Sequence, residues 1–113
     1  MTAAGGGALY PLADLPDGVP RGLTAATGNG PLDLVVMRRG GALVAYRNRC
    51  PHRGTPLDWA PDRFLSPDGA YFQCSTHGAR FRIADGYCVA GPCQGERLAT
   101  VALTVEDGLV RLA

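Results

Sequence analysis

The stretch CPHRG at residues 50–54 is echoed by CSTHG at residues 74–78, and these two segments decide how the chain is interpreted. Each segment offers one thiol and one imidazole and ends in glycine. The chain has only two histidines, His52 and His77, and both fall in these segments. Two sulfur and two nitrogen donors form a ligand set suited to a transition metal. The sequence therefore predicts a metal site built from the two segments.

The rest of the chain is typical of an all-β fold. Glycine and proline number 16 and 9 of 113 residues, a composition that favours turns and short strands over helices. We expect no helix of normal length, and we expect a tight hairpin turn at Asp107-Gly108. Alternation over residues 98–105 places Val101, Leu103 and Val105 on one face of a strand. The predicted strands are residues 8–12, 21–27, 32–37, 42–46, 70–73, 80–83, 87–90, 98–105 and 109–112.

The length fits a single domain. The small, glycine-rich residues 1–7 are expected to be a flexible tail, followed by one domain over residues 8–113. The ligand segments place the metal-binding part at about residues 47–93. Because the chain starts at Met1 and ends in a well-formed hairpin pattern, we expect a whole protein rather than a fragment.

Charge and hydropathy narrow the class of partner. The formal net charge is +1, without the basic surplus of a nucleic-acid binder. No secretory signal precedes the domain, and no apolar stretch is long enough to span a membrane. We therefore expect a cytoplasmic protein without nucleic-acid or membrane partners, in which cysteines stay as thiols or bind metal.

The paired segments resemble the ligand motifs of the Rieske iron–sulfur family, which follow Cys-x-His, a spacer and then Cys-x-x-His. The spacer and the flanking strands are similar too, so the resemblance extends over nearly the whole chain. It implies antiparallel sheets with a cluster-binding subdomain formed by two loops, and one [2Fe–2S] cluster per chain. It also implies that Cys50 and Cys74 hold one iron, while His52 and His77 hold the other.

Departures from the respiratory members of that family bear on the reduction potential. Those proteins carry a disulfide between the two loops, where this chain has Thr55 and Thr76. They also direct a serine and a tyrosine hydroxyl toward the cluster, where this chain has Ala79 and Phe81. Fewer donors leave the reduced cluster less stabilised. We therefore expect a potential toward the low end of the Rieske range.

The resemblance is strongest to the small ferredoxins of bacterial aromatic-ring oxygenases. It implies a monomeric one-electron carrier, not an enzyme, that meets a flavin-dependent reductase and a terminal oxygenase in weak, transient encounters. One alternative is the small subunit or domain of a larger oxidoreductase, similar to that of nitrite reductase. An alternative of another class is a zinc-stabilised interaction module. A complete ring-hydroxylating oxygenase is excluded, because its mononuclear iron needs further histidines.

Several other residues invite a functional interpretation. Cys88 and Cys93 have no histidine nearby, so we interpret them as buried free thiols. Trp59 is expected in the core. Gly54 and Gly78 are expected to permit tight loop geometry. Five arginines bracket the ligand segments, where they either steer an acidic partner or form an ordinary solvated face: Arg47, Arg49, Arg53, Arg80 and Arg82.

Overall fold

The computed structural model describes residues 8–51, 54–58, 60, 63–74 and 78–113, and in them the chain forms nine short strands and one turn of 3-10 helix at Leu12–Asp14. Within this part of the chain, no helix has the length and apolarity to cross a bilayer. The expected tail at residues 1–7 lies outside the described residues. The strands are β1 Ala8–Pro11, β2 Arg21–Thr27, β3 Gly30–Arg39, β4 Ala42–Arg47, β5 Tyr71–Gln73, β6 Arg80–Arg82, β7 Cys88–Ala90, β8 Leu103–Glu106 and β9 Leu109–Leu112.

The described strands form three antiparallel sheets of three strands each, in the orders β2-β3-β4, β1-β9-β8 and β5-β6-β7. Hairpins join most neighbours. At the β8–β9 turn, Asp107 and Gly108 both have positive φ, 53° and 75°, the turn geometry that an Asp-Gly pair favours. The predicted all-β, antiparallel fold is confirmed. We call β5-β6-β7 the site sheet, because it carries the second ligand segment.

Strand β3 supplies side chains to two separate cores. Leu34 and Val36 point into one core with Val110, and the alternate residues Val35 and Met37 point into the other. Successive side chains of a strand face opposite ways, so a strand between two cores is buried on both faces. This explains the run of four consecutive buried residues in β3. We call the core that contains Val35 and both ligand cysteines the site core.

Tyr46 on β4 fastens the site sheet to the β2-β3-β4 sheet. Its ring meets Phe72 edge-on, with centroids 5.9 Å apart. Its hydroxyl donates to the carbonyl of Ile83 at 2.7 Å. Burial raises the pKa of the Tyr46 hydroxyl, so the group stays a protonated donor at neutral pH. The site sheet is thus anchored by both packing and a buried hydrogen bond.

The predicted strand over residues 98–105 is shorter in the structure. Only Leu103–Glu106 form β8. The preceding residues cross between the two cores, with Leu98 buried in the site core and Val101 packed against the other. Val105 is 44% exposed, whereas Leu103, two residues earlier in β8, packs against the second core. The alternation of apolar residues is present, but its first half lies in the segment that crosses between the two cores and not in a long strand.

Candidate metal centre

The first ligand segment forms a closed loop after β4. The amide of Cys50 donates to the carbonyl of Thr55 at 2.8 Å, and the amide of Gly54 donates to the carbonyl of Cys50 at 2.6 Å. Gly54 has a φ of 74°, a left-handed conformation that favours a residue without Cβ. The loop thus closes on its own cysteine.

The second ligand segment repeats this closure between β5 and β6. The amide of Cys74 donates to the carbonyl of Ala79 at 2.8 Å, and the amide of Gly78 donates to the carbonyl of Cys74 at 3.1 Å. Gly78 has a φ of 67°. The offsets of four and five residues from the cysteine match those of the first loop. Cys50 and Cys74 therefore occupy equivalent positions in two equivalent loops, and both glycines have the expected role.

Both predicted ligand cysteines are buried at the base of their loops. Cys50 is 2% exposed and Cys74 is 1% exposed, and both belong to the site core. The glycines of the two loops are exposed, so each loop runs from the core to the surface. Such a site holds two sulfurs away from water.

The structure places the two cysteines of the predicted ligand set in one buried core. Among the described residues, no group of three or more His, Cys, Asp or Glu side chains forms a metal site. Residues singled out in the sequence that lie outside the described residues are His52, Arg53, Trp59, Thr76 and His77.

Asn48 braces the first loop and was not identified from the sequence. Its Oδ1 accepts a hydrogen bond from the amide of Leu57 at 2.7 Å, and its Nδ2 donates to Oδ1 of Asp58 at 3.0 Å. Its own amide donates to the carbonyl of Asp33 in β3 at 2.9 Å. The sequence signal that could have indicated this role is an asparagine directly before a loop, since its side chain can bond the backbone.

A third loop, residues 91–95 directly after β7, packs against both ligand loops. Gly91 has a φ of 94° and lies so close to the second loop that a Cβ there would be 2.7 Å from Cα of Ala79. Cys93 is fully buried, and its Sγ lies 3.7 Å from Sγ of Cys50. Cys88 is also fully buried. The predicted burial of both cysteines is confirmed, but the sequence did not predict that Cys93 contacts Cys50.

The arginines around the two loops differ in the groups that their side chains contact. Arg82 binds Asp85 through two hydrogen bonds of 3.0 and 2.6 Å, and this hydrogen bonding holds the pKa of the Asp85 carboxyl below its ordinary value. Arg80 donates through Nε to a glutamine of β5 at 3.1 Å. Arg49 lies against Gly54, where an added Cβ would be 3.1 Å from its Nη2. Arg49 is therefore placed over the first loop, whereas the charge of Arg82 is balanced locally.

The two positions where respiratory relatives direct a hydroxyl toward the cluster are both fully buried in this chain. Ala79 and Phe81 are each 0% exposed and belong to the site core. Neither side chain can donate a hydrogen bond. The site core thus surrounds the buried cysteines with apolar groups at these positions.

The donor chemistry and the loops fit a cluster with sulfur ligands. Thiolates are soft ligands that suit iron–sulfur clusters, and two equivalent loops present one thiolate each. Glycine-turned loops leave their peptide groups close to the cysteine, as the closing hydrogen bonds show. The described residues therefore accommodate the cysteine side of a [2Fe–2S] centre.

Comparison with known proteins agrees with this geometry. The family model of the Rieske [2Fe-2S] domain matches residues 8–105 of the chain. The cytochrome b6-f complex iron-sulfur subunit of Chlorobaculum thiosulfatiphilum is 34% identical over 59 residues, which are 52% of this chain and 29% of that protein. The match thus spans less than a third of the length of that relative.

Solved structures share the fold across almost the whole chain. The ferredoxin of Sphingomonas yanoikuyae B1 is 29% identical, with a TM-score of 0.72 over 95% of this chain and 96% of that one. A chain in the complex of reduced oxygenase and oxidised ferredoxin of carbazole 1,9a-dioxygenase is 24% identical, with a TM-score of 0.73 over 98% of this chain and 94% of that one. These structures confirm the arrangement of antiparallel sheets.

Proposed function

The chain belongs to the Rieske [2Fe–2S] domain family, and on that premise we propose that it carries single electrons from a flavin-dependent reductase to a terminal oxygenase. The predicted [2Fe–2S] cofactor is confirmed by the family, and the similarity to a ferredoxin supports an electron carrier rather than an enzyme. The observation that carries the proposal is the pair of equivalent loops that bury Cys50 and Cys74 in one core.

In this proposal Cys50 and Cys74 hold one iron, and His52 and His77 hold the other, as the pattern of the family implies. When bound, the cluster supplies a one-electron couple, which in Rieske centres has a potential of ~ −150 to +300 mV. Support for the two cysteines comes from their matched positions and burial. The two histidines are assigned from the sequence motif.

The chain's own residues set the environment of that couple. Burial of both cysteine sulfurs excludes water from them. The apolar side chains of Ala79 and Phe81 provide no hydroxyl donor where respiratory relatives have one. Because reduction adds negative charge, an environment with few donors favours the oxidised state. We therefore propose a potential near the low end of the Rieske range, which suits delivery of electrons to an oxygenase.

The partners follow from the resemblance and from the solved structures. One structure of the same fold comes from a complex of an oxygenase with its ferredoxin, which supports an oxygenase as acceptor. The reductase, the monomeric state and the cytoplasmic location are parts of the proposal. Encounters of this kind are weak and use small interfaces.

Replacement of the histidines tests the ligand set. His52→Ala and His77→Ala should each abolish the visible spectrum and the reduced-state EPR signal of the cluster, since a methyl group cannot ligate iron. Cys88→Ala is the matched control, because Cys88 is fully buried and its sulfur bonds the carbonyl of Ala90 at 3.2 Å. A native spectrum in either histidine variant would contradict the assignment, and the control should keep the cluster.

Reconstitution tests the proposed role. Protein reduced by NADH and a flavin reductase is mixed with oxidised ring-hydroxylating oxygenase, and reoxidation of its cluster is followed in a stopped-flow spectrometer. We expect reoxidation that depends on the oxygenase concentration. Protein that stays reduced at every oxygenase concentration would contradict the role of carrier.

A second candidate is a Rieske subunit or domain of a larger oxidoreductase. The observation in its favour is that the chain matches only 29% of the length of the curated relative. Purification of a tagged copy from its native cells separates the two. A stoichiometric, salt-resistant partner indicates a subunit, whereas a protein that purifies alone and turns over with exchangeable partners indicates a carrier.

A further inference from the structure

A third cysteine lies beside one of the two ligand cysteines. Sγ of Cys93 is 3.7 Å from Sγ of Cys50, and Cys93 is fully buried. This separation is within hydrogen-bonding reach of two sulfur atoms, either of which can donate in the free thiol form. The Rieske ligand pattern of the chain does not include Cys93.

Metal binding fixes the direction of this hydrogen bond. A cysteine that ligates iron does so as a thiolate, which has no proton to donate. Cys93 keeps its S–H group, so it is the donor and the Cys50 sulfur is the acceptor.

We propose that Cys93 is a positioning residue for the cluster, whose thiol donates to the Cys50 sulfur and thereby favours the reduced state. The inference rests on the proposed function, in which Cys50 is an iron ligand. Reduction places more negative charge on the ligand sulfurs, and a hydrogen bond to a charged acceptor is stronger than one to a neutral acceptor. Burial strengthens it further, because few water molecules compete for the sulfur.

The third loop holds Cys93 in this position. The carbonyl of Cys93 accepts from the amide of Glu96 at 2.8 Å, and the carbonyl of Glu96 accepts from the amide of Cys88 at 2.8 Å. Gly91 rests on the backbone of Ala79, with no room for a Cβ. The loop is therefore tied to β7 at one end and seated on the second ligand loop at the other.

Cys88 provides an internal comparison. It is as deeply buried as Cys93. Its sulfur, however, bonds the backbone carbonyl of Ala90 at 3.2 Å. Burial is thus common to both cysteines, while contact with a ligand sulfur distinguishes Cys93.

Potentiometry of variants tests the energetic effect. Cys93→Ala should lower the preference for the reduced state about tenfold, which is 59 mV for a one-electron couple. Cys93→Ser retains a donor and should recover at least half of that shift. Cys88→Ala should leave the potential unchanged. An unchanged potential in Cys93→Ala, with the cluster spectrum intact, would overturn the inference.

Infrared spectroscopy of the wild-type holoprotein tests the bond without relying on the stability of any variant at Cys93. The chain has four cysteines, and two become thiolate ligands, so two S–H stretching bands remain. Cys88→Ala removes one band and thereby identifies the other as that of Cys93. We expect the Cys93 band to shift to lower frequency on reduction, while the Cys88 band stays fixed. A Cys93 band that does not move on reduction would overturn the inference.

These tests separate the inference from the proposed function. A wild-type protein without a Rieske EPR signal would refute the proposed function and, with it, the premise. A wild-type protein with that signal, but with a fixed Cys93 band, would refute only the role of Cys93.

Discussion

Gly91→Ala tests whether close contact between the third loop and the second ligand loop stabilises the site. An ideal Cβ at Gly91 would lie 2.7 Å from Cα of Ala79 and 3.1 Å from its Cβ. Carbon atoms in favourable non-bonded contact are about 3.5–4.0 Å apart. Neither atom of Ala79 can rotate away, because one is backbone and the other is fixed to it. The chain itself must therefore move.

The loss of unfolding free energy expected for Gly91→Ala has two parts. A residue with a Cβ in the left-handed conformation of Gly91, with φ of 94°, costs about 1–3 kcal/mol. Forcing an extra methyl group into a packed site adds about 1–3 kcal/mol. The sum is about 2–6 kcal/mol, a large share of the 5–15 kcal/mol typical of a folded domain.

Gly95→Ala separates these two parts. Gly95 has the same φ of 94°, but a Cβ there would meet nothing within 4 Å. It therefore carries the conformational cost without the clash. The difference of about 1–3 kcal/mol corresponds to a thermal midpoint about 4–12 °C lower for Gly91→Ala than for Gly95→Ala.

The assay is thermal unfolding of the holoproteins, followed by far-UV circular dichroism and by bleaching of the cluster. Bleaching should also be faster in Gly91→Ala, because the carbonyl of Ala79 accepts the hydrogen bond that closes the loop of Cys74. Equal midpoints and equal bleaching rates in the two variants would refute the argument that this contact supports the metal centre.

Three further predictions follow from individual side chains of the site core and its surroundings. Tyr46→Phe removes the hydrogen bond to the buried carbonyl of Ile83 and should lower the unfolding free energy by about 1–3 kcal/mol; an unchanged thermal midpoint would contradict this. The hydrogen bond from Ser66 lowers the pKa of Asp68 below its ordinary value of 3.8. The stability that this carboxylate contributes is therefore complete above pH 3.8 and is lost as the pH falls through the lowered pKa. Thermal midpoints of wild type and Asp68→Asn should therefore converge on acidification, and a constant gap would count against the bond. Ala79→Ser should raise the reduction potential, by about 59 mV for a tenfold gain in preference for the reduced state, and redox titration that finds no rise would contradict the proposed shortage of donors.

Local patterns predicted most of the fold. The Asp-Gly pair at residues 107–108 specified its hairpin because both residues tolerate positive φ, and the structure has that geometry. The strand Arg21–Thr27 agrees with its predicted bounds. Glycines that end the two ligand segments indicated tight loops, and both have positive φ. In each case the determining interaction lies within a few residues.

Features that depend on tertiary packing were missed. Continuous burial of β3 arises because cores lie on both of its faces, and a single strand does not reveal what covers it. Val105 is exposed although Leu103 on the same strand packs against a core. Contact between Cys50 and Cys93 joins residues 43 positions apart, and no local pattern reports such a contact. The ligand motif, in contrast, can be recognised in the sequence because its residues lie within two short segments.

The most direct test of the account is EPR of the purified wild-type protein before and after reduction with dithionite, together with iron and acid-labile sulfide analysis. We predict two irons and two sulfides per chain, no signal in the oxidised protein, and on reduction a rhombic signal with the lowered average g-value that histidine ligation of one iron produces. A colourless protein that contains zinc, or a reduced signal typical of a cluster with four cysteine ligands, would contradict the assignment of Cys50, His52, Cys74 and His77 as the ligands of a Rieske centre.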